Sequence, residues 1–163
     1  MENMKELEQE FVSLIEEHKR IIYKVCCIYA TDKEHLSDLY QETVMNLWCA
    51  YPKFRGESAV STWIYRISLN TCISFLRKSG RRVVSIPLPV NLEAIAEEDD
   101  KVSRLRELYR MINLLGKLER ALILLWLEER SYQEIADIIG ISKQNVGVRL
   151  NRIKEKLKKM SEQ

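Results

Sequence analysis

No pair of cysteines in this sequence has the C-x-x-C spacing of a metal or redox site. Neither histidine, His18 or His35, lies at ligand spacing from Cys26, Cys27, Cys49 or Cys72. Cys26 and Cys27 are adjacent on a helical stretch and point in different directions, so the cysteines are expected to be small, reduced core residues of a cytoplasmic protein. The longest wholly apolar run, residues 121–127, is far too short to span a bilayer, so no membrane insertion is expected. The N-terminal stretch MENMKELEQE is acidic and polar, unlike a secretory signal. There is no glycine-rich phosphate loop, no metal-ligand set and no nucleophile beside a base. The expectation is therefore no catalytic residue, no metal, no cofactor and no small-molecule substrate. Strand-like alternation is absent as well, and so is any internal repeat.

Net charge is also scarce: 26 basic against 24 acidic side chains leave only +2. Its distribution is uneven. Residues 1–52 carry five basic and ten acidic groups, residues 53–82 seven and one, residues 83–103 one and five, and residues 104–163 thirteen and eight. Two basic blocks separated by an acidic stretch point to two nucleic-acid contacts.

Helical periodicity fills the rest. Its most informative stretch is Ser131 to Leu157, SYQEIADIIGISKQNVGVRLNRIKEKL. Ser131 and Glu134 have capping-box spacing. Ile135, Ile138 and Ile139 share a face, and Gly140 supplies a left-handed stop. Ser142 is placed to cap a second helix, in which Val146, Leu150, Ile153 and Leu157 form one apolar stripe. Ala136 is small where two helices would cross. This is the pattern of a helix-turn-helix, whose second helix enters the major groove N-terminus first. Between Lys143 and Lys159 seven basic residues and one acid, Glu155, lie off that stripe. There they can meet phosphates. Gly147, inside the second helix, is expected to weaken it by roughly 1 kcal/mol relative to Ala.

In chain order, a first helix is expected from about Lys5 to Tyr29. A second, capped by Thr31 and Glu34, runs through Ala50 to a stop at Pro52. A polar loop follows, and Ser58 is placed to cap a third helix carrying Val60, Trp63, Ile64, Ile67, Thr71 and Phe75 on one face. That helix ends in the basic cluster Arg77, Lys78, Arg81 and Arg82. Pro87, Pro89 and the acids Glu97, Glu98, Asp99 and Asp100 mark a linker, with room for a turn of helix inside it. Helix resumes near Val102, with Leu105, Leu108, Tyr109, Ile112 and Leu115 on one face and Gly116 ending it. Leu118 to Glu129 is apolar nearly all round and is expected to be the central helix of a C-terminal domain. The fold class is thus all-α: two small helical domains, residues 1–80 and 104–163, joined by a linker over 81–103.

Four local motifs in order resemble a bacterial sigma factor of the extracytoplasmic-function (ECF) type, over nearly the whole chain. Ser37-Asp38-Leu39-Tyr40-Gln41-Glu42 with Leu47-Trp48 is similar to the family's D-L-x-Q-E…L-W signature. Phe54 with Ser61-Thr62-Trp63-Ile64-Tyr65-Arg66-Ile67 is similar to its F…S-x-x-T-W-L-x-x-I segment. Asn70 and Leu76-Arg77-Lys78 follow as N…L-R-K. Ser131-Tyr132-Gln133-Glu134-Ile135-Ala136 with Val146…Arg149-Leu150 is similar to its promoter-binding helix-turn-helix. The chain departs from the pattern at Ser74, Gly147 and Val148.

The resemblance implies a non-enzymatic subunit that delivers core RNA polymerase to promoters and helps melt them. It implies that Asp38, Gln41, Glu42 and Asn46 meet the clamp helices of the polymerase β′ subunit. Residues 54–78 would read the −10 element, with Arg55, Arg66, Arg77 and Lys78 on the backbone and Asn70 on a base edge. Trp63 lies on the apolar stripe and is given no base contact. Lys143, Gln144 and Asn145 would read the −35 element, while Arg149 and Arg152 hold phosphates. The partners implied are core polymerase, promoter DNA and an anti-sigma factor. The alternative is a helix-turn-helix repressor or activator that acts without being a polymerase subunit. It leaves the second basic block unexplained.

The linker has a physical consequence. A relaxed coil of its length spans roughly 25 Å against an extended reach of roughly 70 Å. Coil entropy and acidity between two basic blocks favour domains held close together, with DNA-binding surfaces partly covered.

Overall fold

The computed structural model of the chain describes residues 1–77 and 92–162, without the side chains of residues 76–77, 102–103, 105–107 and 109. The basic residues Lys78, Arg81 and Arg82 and both Pro87 and Pro89 lie outside the described residues, as do the side chains of Arg77, Val102, Leu105 and Tyr109. The described elements are α1 (Glu2–Tyr29), α2 (Lys33–Ala50), a 3-10 turn (Tyr51–Lys53), α3 (Val60–Arg77), α4 (Leu92–Glu98), α5 (Asp100–Ile112), α6 (Lys117–Leu127), α7 (Tyr132–Ile139) and α8 (Lys143–Ser161). No strand occurs among the described residues.

α1 begins three residues before the expected Lys5, with Glu2 in its first turn. An acid there suits the positive end of the helix dipole. At 28 residues it is roughly 42 Å long. Its first turns stand in solvent, and burial begins at Phe11, whose ring lies 5.0 Å from Trp48. The cap of α2 differs from expectation. Asp32, not Thr31, is the N-cap, and its Oδ1 accepts the His35 N–H at 2.8 Å. The Thr31 N–H instead donates to His35 Nδ1 at 3.0 Å. A carboxylate at a helix N-terminus gains from the dipole as well as from the hydrogen bond, which favours the shifted register. Ser58 does not cap α3 either. The Trp63 N–H bonds to Ala59 O, so the helix starts one residue later.

α1, α2 and α3 form a three-helix bundle around Ile22, Val25, Ile28, Leu39, Leu47 and Ile64, each fully buried. Each such side chain contributes roughly 1.5–3 kcal/mol by leaving water. Cys26 and Cys72 lie in this core, and burial pushes the Cys26 thiol up from its ordinary value. Cys49 is exposed and Cys27 half-buried, so the cysteines are not uniformly core residues. Their helices turn those two faces outward.

In the C-terminal half α6 is central as expected, with Ala121 through Leu125 buried. It is not apolar all round in effect. Trp126 is exposed, and the Lys154 ammonium sits 4.1 Å from its ring centroid. Gly116 does not end α5, which stops at Ile112. It is the N-cap of α6, and its N–H donates to Glu119 Oε1 at 3.2 Å. Lys156 also bonds Glu119 and, ahead of that N–H, holds its carboxyl below the ordinary value.

The stretch expected as a linker carries structure where it is described. α4 occupies residues 92–98 and α5 starts at Asp100. Ile95, 3% exposed, pins α4 to the core. α1 packs against α4, α5 and α6, and α3 packs against α7, so one continuous core runs through both halves.

Candidate nucleic-acid interface

The helix-turn-helix forms as its sequence pattern requires. Ser131 Oγ accepts the Glu134 N–H at 3.1 Å, and Glu134 Oε1 accepts the Ser131 N–H at 3.3 Å. The Ser131 backbone bond, ahead of the other contacts, holds the Glu134 carboxyl below its ordinary value. Gly140 adopts φ +82°, which only glycine takes at little cost, and α7 ends there. Ser142 Oγ accepts the Asn145 N–H at 3.1 Å and starts α8. Ile135, Ala136, Val146, Leu150 and Ile153 are buried between the helices. That burial fixes which side of α8 faces outward. Lys143, Gln144, Asn145, Arg149 and Arg152 are all exposed. The first three occupy the leading turn, and the arginines lie one and two turns behind. Gly147 does not open α8 towards a ligand. It faces Tyr132 of α7 across the helix crossing.

The second candidate surface is the loop before α3. Phe54 stacks on Trp63 with ring centroids 4.7 Å apart and 29° between planes. The pair lines an open cleft of about 800 Å³ together with Pro52, Lys53, Arg55 and Arg66. Trp63 is therefore only partly a core residue, because one flank of its ring borders solvent. The motif reading passed over Lys53 and the Phe54–Trp63 stack. Two aromatics flanked by Lys53, Arg55 and Arg66 were the available signal. Asn70 is exposed on α3. Arg55 is exposed, and Arg66 is half-buried because it is engaged: its Nε and Nη2 donate to the backbone O of Asp137 at 3.0 and 2.6 Å. Arg77 ends α3, and Lys78 lies beyond the described residues.

On α2, Asp38, Gln41 and Glu42 are half-buried, where the spacing alone suggests a freely solvated face. Gln41 Nε2 donates to Ser37 Oγ at 3.1 Å, and its Oε1 is buried without a hydrogen-bond partner. Asn46 is exposed but donates to Thr71 Oγ1 at 2.9 Å, tying α2 to α3.

The two halves meet through polar contacts as well as apolar ones. Lys24 Nζ on α1 is 2.9 Å from both Asp99 Oδ2 and Glu128 Oε2. The Tyr29 hydroxyl donates to Lys117 O at 2.6 Å. The Arg130 guanidinium lies 5.2 Å from the Tyr65 ring centroid. Burial pushes the Tyr65 phenol up to about 12 and the Tyr29 phenol further. Among the described residues no helix is long and apolar enough to cross a membrane, and no group of three His, Cys, Asp or Glu gathers as a metal site.

Comparison with known proteins bears on these surfaces. The family model described as Sigma-70 region 2 matches residues 14–82, and the one described as Sigma-70, region 4 matches residues 105–157. The chain is 32% identical over 143 residues to the ECF RNA polymerase sigma-E factor of Haemophilus influenzae, covering 76% of this chain and 72% of that relative. Its fold is similar to that of CnrH, solved in complex with the cytosolic domain of CnrY. There the TM-score is 0.70 at 20% identity, over 95% of this chain and 89% of that one. It is also similar to the sigma factor RpoE of Bartonella quintana, solved with the anti-sigma factor NepR. There the TM-score is 0.61 at 20% identity, over 97% and 98% of the two chains.

Proposed function

The chain belongs to the ECF RNA polymerase sigma factors, and on that premise we propose how its surfaces divide promoter recognition among them. The protein acts in the cytoplasm as a non-catalytic subunit. It directs core polymerase to promoters and assists their opening. Residues 1–80 carry the core-binding and −10 functions, and residues 104–163 carry the −35 function.

The observation that carries this reading is the exposed leading turn of α8. The buried stripe of α8 holds the helix so that Lys143, Gln144 and Asn145 point away from the protein. Gln144 and Asn145 have the paired donor and acceptor that match adenine, and Lys143 suits guanine. Arg149 and Arg152 meet phosphates, which position the helix without reading sequence. At the −10 element the chemistry differs, because an opened strand offers unstacked bases. The Phe54–Trp63 stack and the cleft beside it provide an aromatic wall for such a base. Arg55, Arg66, Arg77 and Lys78 hold the backbone, and Asn70 reaches a base edge. Asp38, Gln41, Glu42 and Asn46 form the face offered to the β′ clamp helices. An anti-sigma factor is the expected regulator, a reading supported by the NepR-bound relative.

In-vitro transcription with bacterial core polymerase tests the proposal. Initiation at a cognate promoter should depend wholly on added protein. A protein that leaves initiation unchanged, yet binds palindromic DNA as a dimer without polymerase, would be a conventional helix-turn-helix regulator instead.

A further inference from the structure

We propose that Val148 selects a thymine in the −35 element, by packing its γ-methyl groups against the C5-methyl that thymine shows in the major groove. The proposal rests on the placing of α8 in that groove. It names a base feature that the amide and basic side chains of α8 do not recognise.

Val148 is 49% exposed, and no other apolar side chain of α8 is exposed. A single exposed valine needs no explanation by itself. Its place on the helix supplies one. Val146, Leu150 and Ile153 are buried and fix the inner side of α8. An α-helix turns roughly 100° per residue, which puts Val148 nearly opposite that stripe. Gln144 and Asn145 precede it by four and three residues, and Asn151 and Arg152 follow it by three and four. All four are exposed and share its face. Val148 thus stands at the middle of the outward surface, one turn behind the leading residues. It belongs to no part of the buried core, and its β-branch lowers helix propensity slightly.

The chemistry of the groove gives that side chain a role. Lys143, Gln144, Asn145, Arg149 and Arg152 act through hydrogen bonds and charge. None of them distinguishes a methyl group from a hydrogen. Thymine is the base that carries a methyl group on the major-groove edge. Valine has no donor or acceptor, so beside cytosine or adenine it would leave an exocyclic amino group dehydrated and unpaired. Its stiff χ1 holds the two γ-methyls in place before contact, so little rotamer freedom is lost on binding. Gln144 and Val148 are roughly 6 Å apart along the helix axis, against roughly 3.4 Å between stacked bases. The thymine therefore falls within about two base pairs of the adenine that Gln144 pairs.

The test uses the full chain, captured by a tag in the presence of core polymerase. A duplex is selected from a pool randomised over the −35 window. Each thymine of the selected duplex is then replaced in turn by deoxyuridine, which lacks only the C5-methyl. The wild type should lose affinity about fourfold at one thymine, the scale of burying one methyl-sized group. Val148→Ser should bind the thymine and deoxyuridine duplexes alike. Val148→Ile keeps a branched apolar surface and should keep the discrimination. Circular dichroism reports folding of both variants. A wild type indifferent to every thymine methyl overturns the proposal. So does a sensitivity that persists in Val148→Ser, because it then comes from the shape of the DNA or from another side chain. Failure to enrich any duplex would refute the placing of α8 on DNA, and the role of Val148 with it. The transcription assay scores dependence on core polymerase separately.

Discussion

Gly147 of α8 sits against Tyr132 of α7, so closely that a β-carbon at position 147 would lie 3.4 Å from Tyr132 Cε2. That is ordinary van der Waals contact, and the backbone there is helical. Gly147→Ala should therefore stabilise the protein by roughly 0.4–1 kcal/mol through helix propensity and reduced unfolded-state entropy. Promoter selectivity should not change, because position 147 faces the protein. Urea denaturation and a −35 binding assay check both halves. A loss of stability would mean that the crossing tolerates no methyl group.

Base reading and backbone positioning should separate in α8. Gln144→Ala or Asn145→Ala should relax preference at one or two −35 positions, by roughly 1–3 kcal/mol per good bidentate contact. Arg152→Ala should weaken all promoters alike and lower the salt slope by about one. Competition binding of holoenzyme to single-base promoter variants would reveal the difference. Altered promoter choice in Arg152→Ala would reverse the assignment.

The aromatic wall makes a separate demand. Phe54→Ala removes one member of the stack but leaves the bundle core of Ile64, Leu69 and Cys72 in place. Open-complex formation should fall, with a loss of roughly 1–3 kcal/mol in affinity for single-stranded −10 DNA. Duplex binding at −35 should hold. Permanganate footprinting beside a duplex binding assay would report this. Equal losses in both would point to misfolding and not to a lost base contact.

On α2 the substitutions should fall into two classes. Asp38→Ala with Glu42→Ala should weaken binding to core polymerase with little change in Tm. Asn46→Ala leaves Thr71 without its 2.9 Å donor, so it should lower Tm as well, by about 1 kcal/mol of stability. Native-gel association with core, run beside thermal melts, distinguishes the two. Unchanged association of the Asp38/Glu42 variant would move the core-binding surface elsewhere.

Much of this was legible because it depends on neighbours in sequence. The Ser131–Glu134 box, the Gly140 stop and the Ser142 cap are hydrogen bonds within a few residues. Their donors and acceptors are therefore already in register along the chain. The 3.6-residue period likewise placed Val146, Leu150 and Ile153 on a buried face. Where several local solutions compete, sequence reading slipped by a residue or more. Asp32 displaced Thr31 as a cap, and Gly116 started a helix instead of ending one.

The sequence by itself determined the helical class, the helix-turn-helix and the outward set Lys143, Gln144, Asn145, Arg149 and Arg152, because propensity, capping and periodicity are short-range. Only the tertiary structure decided what the charges meet. Lys24 lies between Tyr23 and Val25 with nothing local to mark it, yet its partners are 75 and 104 residues away. Arg66 reads as a free cation until α7 brings Asp137 O to it. Trp63 reads as core until the loop folds Phe54 onto its ring. Such pairings follow from how whole helices pack, and chain closure can bring almost any two surface groups together. No spacing rule in the sequence records which two.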